Sequence, residues 1–354
     1  MKKFLKVCSI IVIAILLFVI GFFLYCFISL RMTQKSTREQ LAADGLYNPV
    51  SAGDVELNMP VFGSSDAPYT VVALPGRHDA LFAAQIKAFS ESAGDDCRFV
   101  IADRPGYGVS EVSKQEITPE YAVECARTAL QNAGIQKPYV LMPHSLGGLY
   151  ATYWESTYPD EIAGVLFLDT VTPADADVLQ NTAQSDDDKQ MAWMCKTGLM
   201  RIFVGNYKSV DARLLPEQLQ EDAALLQNYN FYNDSLASED AHLGDSAKAV
   251  LNAVKTNEIP KIYVSTDCST DAEYEEAVRF RFGVPEGEEP EELAEWIADM
   301  KAAAYDDAAN QERSAFLEQL GNCEQVNIPG IHAIYMQKPE AVAEQLHRLF
   351  GQIG

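Results

Sequence analysis

The sequence predicts an α/β fold: a mostly parallel, doubly wound sheet with a helical cap, preceded by one transmembrane helix. Three observations carry this expectation. An uncharged apolar run lies near the N-terminus, short β-rich segments then alternate with amphipathic helices, and two longer stretches interrupt that alternation. At 354 residues, 48% of them hydrophobic, the chain has apolar surface for one large core with an appended layer.

The first element follows from Lys2, Lys3 and Lys6, which precede 24 uncharged residues from Val7 to Leu30, closed by Arg31. Such a run spans a bilayer with some tilt. A secretory signal has a shorter apolar core and a small-residue cleavage site. Here Phe27-Ile28-Ser29-Leu30 leads directly into Arg31-Met32-Thr33, so residues 1–32 read as an uncleaved anchor. A short basic tail is more easily kept inside than translocated, which places the C-terminal domain of this single-pass chain outside the cytoplasm. Residues 33–48 read as a polar juxtamembrane linker and 49–354 as one domain.

Within that domain Tyr69 to Leu74, Arg98 to Ala102, Tyr139 to Met142, Gly164 to Leu168, Lys261 to Ser265 and Glu324 to Ile328 read as buried strands. Between them Ala122, Cys125, Ala126, Ala129, Leu130 and Ala133 form one helical stripe, and Leu146, Leu149, Tyr150, Tyr153 and Trp154 another. Val342, Leu346, Leu349 and Phe350 mark a closing helix. Residues 172–258 contain Met191, Trp193, Met194, Met200, Leu225, Tyr229, Phe231 and Tyr232, a composition suited to a cap. Residues 272–321 form an acidic helical insertion. Its Glu286, Glu288, Glu289, Glu291 and Glu292 surround Pro290 at a helix start, where acids favour the helix dipole rather than calcium.

Charge and cysteine content exclude several functions. The segment through Arg38 holds six Lys and Arg and no acid, leaving 21 bases against 51 acids beyond it. So acidic a domain lacks the clustered cations that nucleic-acid binding requires. Apart from Cys8 and Cys26 in the anchor, five cysteines remain, without the spacing of a metal site or a disulfide framework.

The chemistry concentrates in Met142-Pro143-His144-Ser145-Leu146-Gly147-Gly148, between a strand and a helix. A serine at that corner has its hydroxyl lifted above the sheet and faces helix N-terminal N–H groups. Gly147 leaves room for the sharp turn, and Gly148 lets helix and strand approach closely. Upstream are Leu74-Pro75-Gly76-Arg77 and Asp103-Arg104-Pro105-Gly106-Tyr107-Gly108, and downstream Ile328-Pro329-Gly330-Ile331-His332.

These four segments, in this order, resemble the α/β-hydrolase family from about Asp54 to Phe350. The resemblance implies Ser145 as nucleophile and His332 as its general base. It implies the backbone N–H groups of Leu146 and Arg77 as the oxyanion hole. For the acid that orients His332 it points first to Asp267, with Asp169 and Asp271 as alternatives; any of them could instead cap a turn. Strand alternation turns the ring of His144 away from the site, and His78 reads as a loop residue beside it. Pro143, Pro75 and Ile331 depart from the residues common in the family. The implied reaction is cofactor-free acyl transfer to water from a small ester-like substrate, as in esterases and lipases. An aminopeptidase acting on amides and a non-catalytic binding module of the same fold are the competing readings. Ser145 argues against dehalogenase and epoxide hydrolase chemistry, which would place an aspartate at the elbow.

Overall fold

The computed structural model describes residues 2–175, 179–204, 209–304 and 307–353, so short pieces of both insertions lie outside the described residues. The first helix, α1 (Lys2–Ala43), is 42 residues long and ends where Gly45 takes a left-handed φ of 71°. The N–H groups of Leu46 and Tyr47 then close on Leu41 O at 2.7 and 3.1 Å. Its apolar part is long enough to cross a membrane, and the most apolar window has no part buried in the protein.

The stretch expected as a linker, 33–48, is partly helical: α1 continues as far as Ala43. Thr37 and Leu41 are buried, and Leu41 joins the main core. Polar residues there suggested solvent, but every third or fourth position faces the cap, so the stretch is the amphipathic half of one helix.

Among the described residues nine strands follow. β1 (Pro49–Ser51) and β2 (Glu56–Asn58) form an antiparallel hairpin. The main sheet contains β3 (Val61–Phe62), β4 (Tyr69–Leu74), β5 (Cys97–Ile101), β6 (Tyr139–Pro143), β7 (Ile162–Leu168), β8 (Lys261–Ser265) and β9 (Cys323–Asn327). Their order is β3-β5-β4-β6-β7-β8-β9, and only β3 runs antiparallel to its neighbour.

Period-two alternation sends successive side chains to opposite faces. Val71 and Ala73 pack with α2 (Phe82–Ala93) and the closing helix Pro339–Ile353. Val72 and Leu74 pack with α3 (Pro119–Asn132) and α4 (Gly147–Thr157). Both faces are therefore covered, which is why these strands read as unbroken apolar runs.

The first insertion leaves the sheet after β7 and carries helices Asp186–Thr197, Met200–Val204, Val210–Leu214, Glu217–Tyr229, Asp234–Ala241 and Leu243–Ala253 before β8. The second, between β8 and β9, contains Asp271–Phe282, Leu293–Ala302 and Asp307–Leu320. Its apolar set packs on itself: Trp296 stacks on Phe282 with ring centroids 4.2 Å apart. The helix expected to open at Pro290 begins at Leu293, whose N–H bonds to Pro290 O at 3.1 Å.

Candidate active site

Parallel strands present all their carboxyl ends at one edge of a sheet, and loops from four of them meet there. Ser145 follows β6. Its φ is +51°, a left-handed conformation costly for a residue with a side chain. The backbone is held there from both sides: Ser145 N–H donates to Leu168 O at 3.3 Å, while Ser145 O accepts from Gly148 and Val171 at 3.0 and 3.1 Å. The steric reading of the two glycines holds. A Cβ at Gly147 would lie 2.6 Å from Leu74 O, and one at Gly148 would lie 2.5 Å from Thr170 Cβ.

His332 follows β9 and lines the same cavity as Ser145, a pocket of about 510 Å³. Its Nδ1 lies 2.6 Å from Asp169 Oδ2. Asp169 stands directly after β7 at φ +45°, and Thr266 Oγ1 donates to the same oxygen at 2.8 Å. Burial pushes the Asp169 carboxyl up, but hydrogen bonds from His332 and Thr266 outweigh it and hold its pKa below the ordinary value. Burial likewise disfavours a charged His332, yet its bond to Asp169 and the charges of Asp169 and Asp79 leave the imidazole raised.

The structure separates the three aspartates considered from the sequence. Asp267, ranked first there, turns to Arg313 Nη2 at 2.7 Å. Asp271 opens the next helix and takes Lys301 at 2.6 Å. Asp169 is the one on His332. All three sit near strand ends, and which carboxylate reaches the imidazole depends on loop direction, which spacing along the chain does not encode.

His144 is a second correction. Alternation applies inside a strand, but His144 already belongs to the turn; its ring lies 4.5 Å from that of His332 and lines the cavity. Nε2–H donates to His332 O at 3.2 Å, bracing the loop that carries the imidazole. Burial, followed by the nearby His332, lowers its pKa to about 3, so His144 stays neutral. The other histidines are anchored elsewhere: His347 on Ala93 O and His242 on Ser238 O.

A buried cluster beneath the loop after β4 was not anticipated from the sequence. Arg104 donates to Pro75 O at 2.7 Å, to Gly76 O at 2.9 Å and to Glu239 of the cap at 2.7 Å. The guanidinium lies 4.1 Å from the Tyr107 ring and 4.4 Å from the Tyr150 ring, and both phenols bond to Glu239. In a trans peptide the C=O and the following N–H point in opposite directions. By gripping Gly76 O, Arg104 turns the N–H of Arg77 the other way. Gly76 itself packs on Ser145: a Cβ there would be 3.1 Å from Ser145 Cβ. Among the described residues, neither Arg77 N–H nor Leu146 N–H donates within the protein. The side chains of Arg77 and His78 meet Asp240 at 2.8 and 3.1 Å. The signal for the cluster was present in Asp103-Arg104-Pro105-Gly106-Tyr107, where a cation stands within three residues of the end of a buried strand. Among the described residues, no three His, Cys, Asp or Glu side chains gather as a metal site.

A model of the alpha/beta hydrolase fold matches residues 69–237. The chain is an α/β-hydrolase-fold protein. It is 23% identical over 289 residues to the uncharacterized protein YbdG of Bacillus subtilis (strain 168), a match covering 80% of each chain. Two solved structures show the breadth of this α/β-hydrolase fold. A putative lipase from Acinetobacter baumannii AYE superposes with a TM-score of 0.53 at 15% identity, covering 91% of this chain and 96% of that one. A putative epoxide hydrolase mutant from Pseudomonas aeruginosa gives 0.54 at 16% identity, covering 87% and 96%. One scaffold thus carries different reactions, so the chemistry of this α/β-hydrolase-fold chain must be argued from its own side chains.

Proposed function

We propose that the protein is a membrane-anchored serine hydrolase that cleaves an ester-like bond through an acyl-enzyme intermediate. Ser145 attacks the carbonyl carbon while His332 takes the hydroxyl proton, and the N–H groups of Leu146 and Arg77 hold the oxyanion. His332 then returns the proton to the leaving alkoxide. Water, deprotonated by the same imidazole, releases the acid. Asp169 keeps the proton of His332 on Nδ1, so that Nε2 is the nitrogen available to the serine. The observation that carries this reading is the single cavity in which Ser145, at positive φ, and His332, bonded to Asp169 at 2.6 Å, occur together. Against the effect of burial, the bond to Asp169 and the charges of Asp169 and Asp79 raise the imidazole's pKa, which makes it a stronger base and supports that role.

Anchoring through α1, with the domain outside the cytoplasm, belongs to the same reading. It is supported by the packing of Cys26 and Leu30 against the cap, since a segment destined for removal has no need of a seat in the mature fold. The test is a fluorophosphonate probe on the full chain beside Ser145→Ala, followed by chromogenic esters of rising chain length and aminoacyl amides. We expect Ser145-dependent labelling and ester turnover. Labelling that persists in Ser145→Ala would defeat the nucleophile assignment, and turnover confined to the amides would make the protein a peptidase.

A further inference from the structure

The catalytic cavity is not the only one that the cap encloses. A second, of about 320 Å³, lies where α1 meets the cap, with Leu30, Met200, Leu225 and Phe231 in its wall and the charged Arg201 and Glu221 beside them. That volume falls in the range of ligand pockets, roughly 300–1,000 Å³. Phe231 also lines the Ser145 cavity, so the two spaces share an aromatic wall residue. Phe231 is 40% exposed, unusual for a phenylalanine at the centre of a cap.

The position of this cleft along α1 decides what can fill it. The uncharged run of α1 ends at Leu30, but contact with the cap begins earlier: the Phe23 ring meets Trp193 edge to face at 5.7 Å. Seven residues of helix separate Phe23 from Leu30, a rise of about 10 Å. A Cβ at Gly198 would lie 2.5 Å from Cys26 O, so the cap lies against the backbone of α1 within that depth. With α1 in a bilayer, this edge of the cap sits at the boundary of the acyl chains. It presents Trp193 and Ile202 there, 48% and 55% exposed, the kind of side chains that suit a membrane interface. Leu30, Thr33, Gln34 and Thr37 of α1 form one wall of the cleft, so it begins where the apolar run of the helix ends.

We propose that this cleft binds one acyl chain of a bilayer lipid, and that Phe231 is the wall past which the lipid's ester group reaches Ser145. The site rests on the anchored-hydrolase reading and names its substrate class: the acyl esters of the membrane that holds the protein. A soluble ester can reach Ser145 directly. A lipid approaches along α1, so the anchor serves as a lining of the substrate site as well as a tether.

The full chain is reconstituted into vesicles of phosphatidylethanolamine and phosphatidylglycerol containing a trace of phosphatidylcholine with a diazirine at its acyl terminus. After irradiation, labelled peptides are mapped by mass spectrometry. Label is expected on peptides containing Cys195 to Arg201 and Ala224 to Phe231, in addition to the lipid-facing residues 7–22. Thr33→Trp, which fills the cleft from the anchor side, is expected to reduce the cap label at least fivefold and leave label on residues 7–22 within twofold. Leu225→Glu, which leaves the anchor intact and makes the cleft hostile to an alkyl chain, is expected to do the same. Cap label that persists in both variants, or label confined to residues 7–22 in the wild type, would overturn the site. Release of the wild-type chain from the vesicles by alkaline carbonate would instead overturn the anchored reading, and the site with it.

Discussion

At the scale of single residues, the two aspartates near His332 have separable consequences. Asp169→Asn leaves an amide facing Nδ1 and stabilises the wrong tautomer, so kcat should fall by about 10³–10⁴. Asp267→Asn removes a partner of Arg313 and should leave kcat within about threefold of the wild type. The pH profile supplies a second measurement. In the proposed mechanism His332 serves as base only when neutral, and its pKa is raised above 6.5, so kcat/KM should fall as pH drops through a value above 6.5. In Asp169→Asn the residual activity should carry an acid limb at lower pH, because the charge that raised the imidazole is gone. A limb that does not move would mean that Asp169 does not set that pKa. Ser145 and His332 were legible in the sequence because each ends a strand inside a distinctive short motif. The acid was not, because Asp169, Asp267 and Asp271 are equivalent until the loops are folded and Arg313 and Lys301 claim two of them.

At the scale of elements, the elbow between β6 and α4 is the most constrained junction. A methyl group at position 147 would fall 2.6 Å from Leu74 O and 3.0 Å from Pro75 O, backbone atoms at the end of β4 and in the loop after it. Gly147→Ala should therefore cost about 1–3 kcal/mol, read as a lower denaturant midpoint, and displace the loop enough to slow fluorophosphonate labelling. A variant with unchanged midpoint and labelling rate would contradict this packing. The central strands were legible to within two residues, since burial on both faces gives long apolar runs. β1, β2 and β3 escaped because strands of two or three residues carry no periodicity to read. The second half of α1 escaped for the opposite reason: one buried residue per turn, Thr37 then Leu41, looks like solvent exposure when composition alone is read.

For the whole molecule, the C-terminal part of α1 belongs to the core. Arg38 lies over the rings of Tyr47 and Tyr229, and Leu41 is fully buried. Deleting residues 1–22 should leave a domain with nearly the thermal midpoint of the full chain. Deleting 1–43 uncovers Leu41's seat and should lower stability by about 2–5 kcal/mol, the range for emptying a leucine site, which calorimetry of the two truncations compares directly. Equal midpoints would show that the helix merely lies on the cap. The cap is fastened at its other margin by Glu239, which shares Arg104 with the carbonyls of Pro75 and Gly76. Separating a buried pair of that kind costs about 3–5 kcal/mol. Lifting the cap there would also free the peptide that presents Arg77's N–H, dismantling the charge-stabilising corner at the moment of entry. Such a margin behaves as a hinge pin, and any wider opening of the cap is expected on the far side, where it leans on α1.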